Sequence, residues 1–243
     1  MLVESQRPAE PGLSYFITKR VMDVVFAAIS LVVLSPLILM IAVVIKLESP
    51  GPVFFLHQRT GQNRRRSSLS HKGGERRSED RFGRQFELLK FRTMFTDSKE
   101  RFPELYEYNY TAEEFRSLIV GKPFPGGESG KLDPRVTKIG GWLRRSSLDE
   151  LPNLWNVLAG DMSMVGPRPD IWQHIRYYPE DHLVKLRSRP GITCIAQIMG
   201  RGNLTFLETN EYDLFYMSER SFLTDLRILV KTAKSVLLRE GAF

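Results

Sequence analysis

Val24-Val25-Phe26-Ala27-Ala28-Ile29-Ser30-Leu31-Val32-Val33-Leu34-Ser35-Pro36-Leu37-Ile38-Leu39-Met40-Ile41-Ala42-Val43-Val44-Ile45 carries no charge, and the run is almost wholly apolar from Val21 to Leu47. A stretch of that length can cross a bilayer as a helix. Ser35-Pro36 interrupts it near the middle. Proline removes a backbone donor and presses on the carbonyl four residues back, at Val32, so a kink or break is predicted there, with Ser35 Oγ placed to satisfy a freed carbonyl. Each half is then about 10 to 11 residues, roughly 16 Å long, which is half of a ~30 Å hydrocarbon core. The chain either spans as a kinked helix or enters and leaves by one face as helix-break-helix. Lys19 and Arg20 precede the run, and Lys46, Arg59 and a basic tract from Arg64 follow it. Neither end looks translocated under the positive-inside bias, which favours the re-entrant form. A buried core helix would show a polar face over this length, and a cleaved leader would be shorter.

The 243 residues are 42% apolar, ample for a core, and the formal charge is +7. That charge is local. Residues 64 to 84 hold eight Lys/Arg against three Asp/Glu, a balance of +5, within a Ser- and Gly-rich tract that reads as an exposed loop. Phe82 is its only aromatic, which argues against nucleic acid as a partner. Cys194 is the single cysteine, so neither an internal disulfide nor a Cys-based zinc site is expected, and a reducing location fits. His57, His71, His174 and His182 lack metal-ligand spacing.

Beyond the apolar run, Ser49-Pro50-Gly51-Pro52 is a stop, Val53-Phe54-Phe55-Leu56 reads as a short strand or membrane-facing turn, and residues 86–94 alternate like a strand. Residues 99–130 read as a surface excursion. Asp133-Pro134 predicts a helix start, with Asp as N-cap, running to about Arg145. Leu148, Leu151, Leu154, Trp155 and Leu158 predict a second helix that Gly160 ends. Near the C-terminus, Phe222, Leu226, Leu229, Ala233 and Val236 form one apolar face, suited to the core or to an anionic membrane surface.

The candidate chemistry lies in Arg144-Arg145-Ser146-Ser147-Leu148-Asp149-Glu150-Leu151-Pro152-Asn153, followed by Val165-Gly166-Pro167-Arg168-Pro169. Ser147 to Glu150 also fits a capping box, in which Glu150 merely bonds back to the Ser147 amide. Alternatively, a helix N-terminus suits ionised carboxylates and bound phosphate, and one carboxylate can attack phosphorus while its neighbour holds a divalent cation. Arg168, set between two prolines, is held in a rigid turn that suits bidentate phosphate recognition. Lys90 and Arg92 are two apart on the predicted strand and share a face, where they could contact a diphosphate or line a solvated edge. Arg144 could be a favourable helix C-terminal charge. Arg201, in Gly200-Arg201-Gly202-Asn203, sits in a turn that could approach a ligand.

These segments together resemble the bacterial sugar transferases that act as monotopic phosphoglycosyl transferases on polyprenyl phosphate. The likeness runs in order through Lys19-Arg20-Val21-Met22-Asp23, Ser35-Pro36, Ser49-Pro50-Gly51-Pro52-Val53, Lys90-Phe91-Arg92-Thr93-Met94, Asp133-Pro134-Arg135-Val136-Thr137, Ser147 to Pro152, Val165 to Pro169 and Pro190-Gly191-Ile192-Thr193. The resemblance implies an α+β, mainly helical fold, with a re-entrant helix-break-helix element joined to a cytoplasmic catalytic domain bearing interfacial amphipathic helices. Residues 1–14 would be a tail, 15–48 the membrane helix and 49–243 the catalytic domain, with 64–84 and 99–130 as flexible insertions. It implies transfer of phosphosugar from a UDP-sugar to undecaprenyl phosphate at the bacterial inner membrane, in a polysaccharide or glycoconjugate pathway. Asp149 would be the nucleophile that expels UMP and forms an aspartyl-phosphosugar, and Glu150 a ligand to Mg²⁺. Lys90, Arg92, Arg144, Arg168 and Arg201 would contact substrate. The expected partners are UDP-sugar, undecaprenyl phosphate and membrane lipid, with a homodimer left open. Cys194-Ile195 departs from the family, which often has Gly-Trp or Gly-Leu there. A membrane-tethered scaffold binding lipid or nucleic acid, and a metal-dependent phosphohydrolase, are the competing functions.

Overall fold

The computed structural model describes residues 11–63, 82–103, 133–175, 178–200 and 204–237. Most of both expected insertions, residues 1–10 and Arg201 lie outside the described residues. Helix α1, Leu13–Glu48, takes up the whole apolar run as one 36-residue element, roughly 54 Å of helical rise. Of the kink or break expected at Ser35-Pro36, a full break is not the arrangement found: residues on both sides of Pro36 remain helical. Ser35 Oγ donates to Val32 O at 2.8 Å, so the carbonyl that proline deprives of its partner is satisfied within the helix.

Beyond α1 the chain forms an antiparallel hairpin, β1 Phe54–Thr60 and β2 Gln85–Phe91. Short helices α2, Ser98–Arg101, and α3, Lys138–Ser146, come next, and a 3-10 turn, Leu148–Glu150, leads into α4, Asn153–Ala159. β3 Ser163–Val165, α5 Trp172–Ile175, a 3-10 segment His182–Arg187 and β4 Gly191–Thr193 follow. The chain then closes with α6 Ile195–Met199, α7 Phe206–Glu219 and α8 Phe222–Leu237. β3 and β4 pair in parallel. A Cβ on Gly191 would strike the backbone of Gly166, so only glycine permits that approach. Among the described residues the architecture is mainly helical with two two-stranded sheets.

Helix α3 starts later than Asp133-Pro134 predicts, because Arg135 occupies the Asp133 carboxylate with three donors. Thr137 is the cap, its Oγ1 accepting from Gly140 N–H at 2.9 Å. Gly160 does end α4, with φ of 89°. Of the two settings expected for the apolar face of α8, the domain core takes only Leu229: Asp225, Ile228 and Ser235 face inward, whereas Phe222, Leu223, Leu226 and Val230 are exposed. The reason is polar: Asp225 is needed inside to meet Lys19 and Tyr216.

One domain grips α1 at both ends. At the N-terminal end, Lys19 reaches Asp225 Oδ2 at 2.7 Å and Val165 O at 2.9 Å, Arg20 caps α4 through Val157 O and Leu158 O, and Asp23 accepts from Ser163 Oγ and Met164 N–H. At the C-terminal end, Glu48 accepts from Ile139 N–H at the start of α3, and Ile41 and Ile45 pack on Phe91 and Leu143. Between these grips Ala27 is buried and Leu31, Leu37 and Ile38 pack on the domain, while the opposite side of the helix is bare, Val32 at 74% and Leu39 at 67% exposed. A core helix of a soluble protein would bury them.

Candidate active site

The hairpin register decides which strand residues share a face. Phe55 lies opposite Lys90, His57 opposite Leu88 and Arg59 opposite Phe86, so Arg59 and Lys90 project to the same side. Helix α4 is fastened to that hairpin by Asn156, whose Nδ2 donates to Glu87 O at 2.7 Å and whose Oδ1 accepts from Leu89 N–H at 3.0 Å. A helical side chain thus extends the edge of β2 as a further strand would.

The turn that precedes α4 brings the two carboxylates to Lys90. Its Nζ lies 2.5 Å from Glu150 Oε1 and 3.4 Å from Asp149 Oδ2. Ser147 adopts φ 57° and ends α3, and Glu150 spends its carboxylate on Lys90, so the capping-box alternative is not the arrangement found. The carboxylates sit in a 3-10 turn ahead of α4 rather than in its first turn, since Pro152 delays the regular helix.

Burial pushes the Asp149 carboxyl above the usual range, opposed by the Lys90 charge and reinforced by Glu150. For Glu150 burial acts the same way, but Lys90, Arg168 and Arg59 outweigh it and hold the group below its ordinary value. The adjacent carboxylates are therefore driven apart, Asp149 more basic and Glu150 firmly ionised. Arg59, Lys90, Glu150, Asn153, Arg168 and Gln197 line one cleft. Burial and the neighbouring Arg168 charge push Arg59 down to about 10 against the opposing charges of Asp170 and Glu150, so it stays protonated at neutral pH. Such a cleft is matched to an anionic ligand.

The structure therefore brings Asp149, Glu150, Lys90 and Arg168 together. Arg144 stands at the margin, exposed, its Nε bonded to Thr93 Oγ1 at 3.0 Å and its charge felt at Asp149. Arg92 is a correction: β2 ends at Phe91, and the buried guanidinium turns away from the cleft to donate to Pro50 O, Ser49 O and Ser49 Oγ beyond α1. Lys90 and Arg92 do not share the cleft: the Arg92 N–H still bonds Val53 O at 2.9 Å as a ladder residue would, but its side chain is drawn to Ser49 and Pro50. Arg201 lies outside the described residues. Sequence reasoning missed Arg59, Asn153 and Asn156; extending the β1 alternation to Thr60 would have put Arg59 on the Lys90 face only if the register were known. Cys194 is buried, with burial pushing its thiol up to about 12, and its N–H donates to Gln197 Oε1 at 3.2 Å, so the departure at that position packs behind the cleft wall.

The sequence model of the bacterial sugar transferases matches residues 14–239. The chain belongs to the bacterial sugar transferase family. It is therefore an enzyme, a transferase acting on sugars. The exopolysaccharide production protein ExoY of Sinorhizobium fredii is 36% identical over 230 residues, covering 93% of this chain and 88% of the relative. A UDP-glucose:undecaprenyl-phosphate glucose-1-phosphate transferase of Caulobacter vibrioides is 34% identical over 241 residues, covering 96% of this chain and 74% of the relative. The undecaprenyl-phosphate galactose phosphotransferase of Salmonella typhimurium is 33% identical over 248 residues, with all of this chain matched to 45% of the relative.

Proposed function

We propose that the protein transfers a hexose 1-phosphate from a UDP-sugar to undecaprenyl phosphate, releasing UMP, in bacterial exopolysaccharide assembly. The observation that carries the reading is the Asp149-Glu150 pair held on Lys90, with Glu150 and Lys90 lining a cleft that Arg59 and Arg168 make cationic and Asp149 beside it. The printed activities of the Caulobacter and Salmonella relatives supply the substrate class.

In this reading the cations draw in the diphosphate and neutralise its charge, with Arg168 suited to two-pronged contact. An Asp149 carboxylate oxygen bonds to the sugar-bearing phosphorus, the bond from that phosphorus to the bridging oxygen breaks, and UMP leaves with the electron pair. A phosphate oxygen of undecaprenyl phosphate then attacks the same phosphorus and frees Asp149. Two successive displacements let a soluble donor and a lipid acceptor use one pocket in turn.

The residues present fit the Mg²⁺ that the family likeness implies. Glu150 is ionised, and Asn153, 2% exposed, has a buried Oδ1 that meets no protein donor, so hard oxygens face the cleft. Among the described residues no three His, Cys, Asp or Glu side chains converge. Mg²⁺ commonly takes only one or two protein carboxylates and completes its shell with water and substrate phosphate. When bound, the ion would draw charge off the phosphoryl oxygens.

We read α1 as re-entrant at the inner membrane, with the domain on the cytoplasmic face. Asp23 and Ile45 are roughly 33 Å apart along a helix, about the thickness of a hydrocarbon core, yet both are held by one domain. A crossing helix would divide those contacts between two sides of the bilayer. The exposed apolar face of α8 supports an interfacial position for that helix.

Incubation of wild type with UDP-glucose or UDP-galactose should add the mass of a hexose phosphate to the intact protein, and Asp149→Asn should show neither that adduct nor UMP release. Undiminished transfer by Asp149→Asn would overturn the mechanism. Release of free sugar phosphate without a lipid acceptor would point to a hydrolase instead.

A further inference from the structure

Behind the cationic wall of the cleft lies a second set of ionisable groups that the chemistry above does not use. Lys185, 2% exposed, places its Nζ 2.8 Å from Asp170 Oδ2, 3.3 Å from Asp213 Oδ2 and 2.5 Å from Asn210 Oδ1, which commits its three protons. The carboxylates are committed too. Asp170 Oδ1 accepts from the Tyr178 hydroxyl at 2.8 Å, and Asp213 Oδ1 accepts from the backbone N–H of Arg168 at 3.2 Å.

Buried ion networks are poor sources of stability, since apolar side chains of similar volume often do as well or better. What this one supplies is position. Asp213 on α7 holds the main chain at Arg168, and Asp170, two residues further on, accepts the Thr60 N–H through its carbonyl at 2.9 Å. Arg59 Nη1 in turn donates to Pro169 O at 3.3 Å. Lys185 therefore joins the two anchors that flank Pro167-Arg168-Pro169, one from a helix and one from the chain that borders β1. The restraint has work to do, because Arg59 and Arg168 are like charges converging on one cleft and would otherwise separate.

We propose that Lys185, tied to Asp170 and Asp213, is a positioning residue that fixes the Arg168 turn so that Arg168 and Arg59 address one diphosphate together. The inference rests on the reading of this cleft as the UDP-sugar site.

The test uses the full chain in detergent micelles, following UMP release from UDP-glucose and UDP-galactose with undecaprenyl phosphate present, for wild type, Arg168→Ala, Lys185→Met and the double variant. Lys185→Met should raise the donor KM roughly tenfold with a smaller change in kcat, and the double variant should be no worse than Arg168→Ala alone, because Lys185 acts through the turn. Losses that multiply in the double variant, or an unchanged KM in Lys185→Met, overturn the proposal. Should Lys185→Met fail to fold, Asp213→Asn, which keeps an acceptor for the Arg168 N–H, should hold KM nearer to wild type than Asp213→Ala does; equal KM in the two overturns it. A wild type that releases no UMP from either donor overturns the functional reading and this inference together. An active wild type with multiplying losses overturns the inference alone.

Discussion

Removing Lys90 asks how Asp149, the proposed nucleophile, is kept ionised. Its charge is the largest influence opposing burial at Asp149, so Lys90→Met should raise that carboxyl further. The acid limb of the kcat profile should then move to higher pH, as a pH series of UMP release would show; an unmoved limb would mean that another group sets it. Asp213 gives a separate signature. Burial, opposed by Lys185 and reinforced by Asp170, lifts it from 3.8 to about 6. A raised carboxyl contributes stability while protonated, fully below its unfolded value near 3.8, and loses that contribution as pH rises through about 6. Asp213→Asn cannot titrate, so the pH dependence of Tm between about 4 and 6 should flatten in that variant relative to wild type.

At the scale of elements, α4 is the one to perturb, because it ties the dyad to β2 and ends against α1. Arg20 bonds Val157 O at 2.7 Å, which also accepts from the Gly160 N–H, and Leu158 O at 3.0 Å, both carbonyls of the last turn of α4. Arg20→Ala should cost about 2 kcal/mol, the scale of hydrogen bonds to a charged donor, read as a lower Tm in micelles. Gly160→Ala meets no steric block but must hold a left-handed φ of 89°, so about 1 kcal/mol is expected. An Arg20→Ala variant as stable as wild type would show that α1 merely lies beside α4. The helix itself shows how local rules combine: proline predicts a kink or break, and the serine one residue earlier, placed to satisfy the freed carbonyl, does so, and the element continues.

For the whole molecule the open quantity is topology. Ser14, in the first turn of α1, and Lys99, on α2 after it, are exposed on either side of the apolar run in sequence, and Cys194 is buried with its thiol raised to about 12, so introduced cysteines should report without background. Ser14→Cys and Lys99→Cys should both react with a membrane-impermeant maleimide from the same side of sealed inner-membrane vesicles. Labelling from opposite sides would mean a crossing helix and would break the shared grip on α1.

The apolar run, the stop at Gly160, the rigid Arg168 turn and the adjacency of Asp149 and Glu150 were legible because each depends on residues close in the chain: hydropathy, turn chemistry and spacing act locally. The pairing of Lys90 with both carboxylates, the diversion of Arg92 to Ser49 and Pro50, and the entry of Arg59 into the cleft were not. They depend on hairpin register and on where β2 stops, which are set by contacts across tens of residues. The same holds for α8, whose apolar periodicity was correct but whose direction was chosen by Lys19, more than two hundred residues away, drawing Asp225 inward. Sequence alone determined which groups could do the chemistry and that the chain carries an apolar helix. Tertiary structure decided which cations face the dyad, because a buried charge goes wherever its partner is, and no local pattern records that.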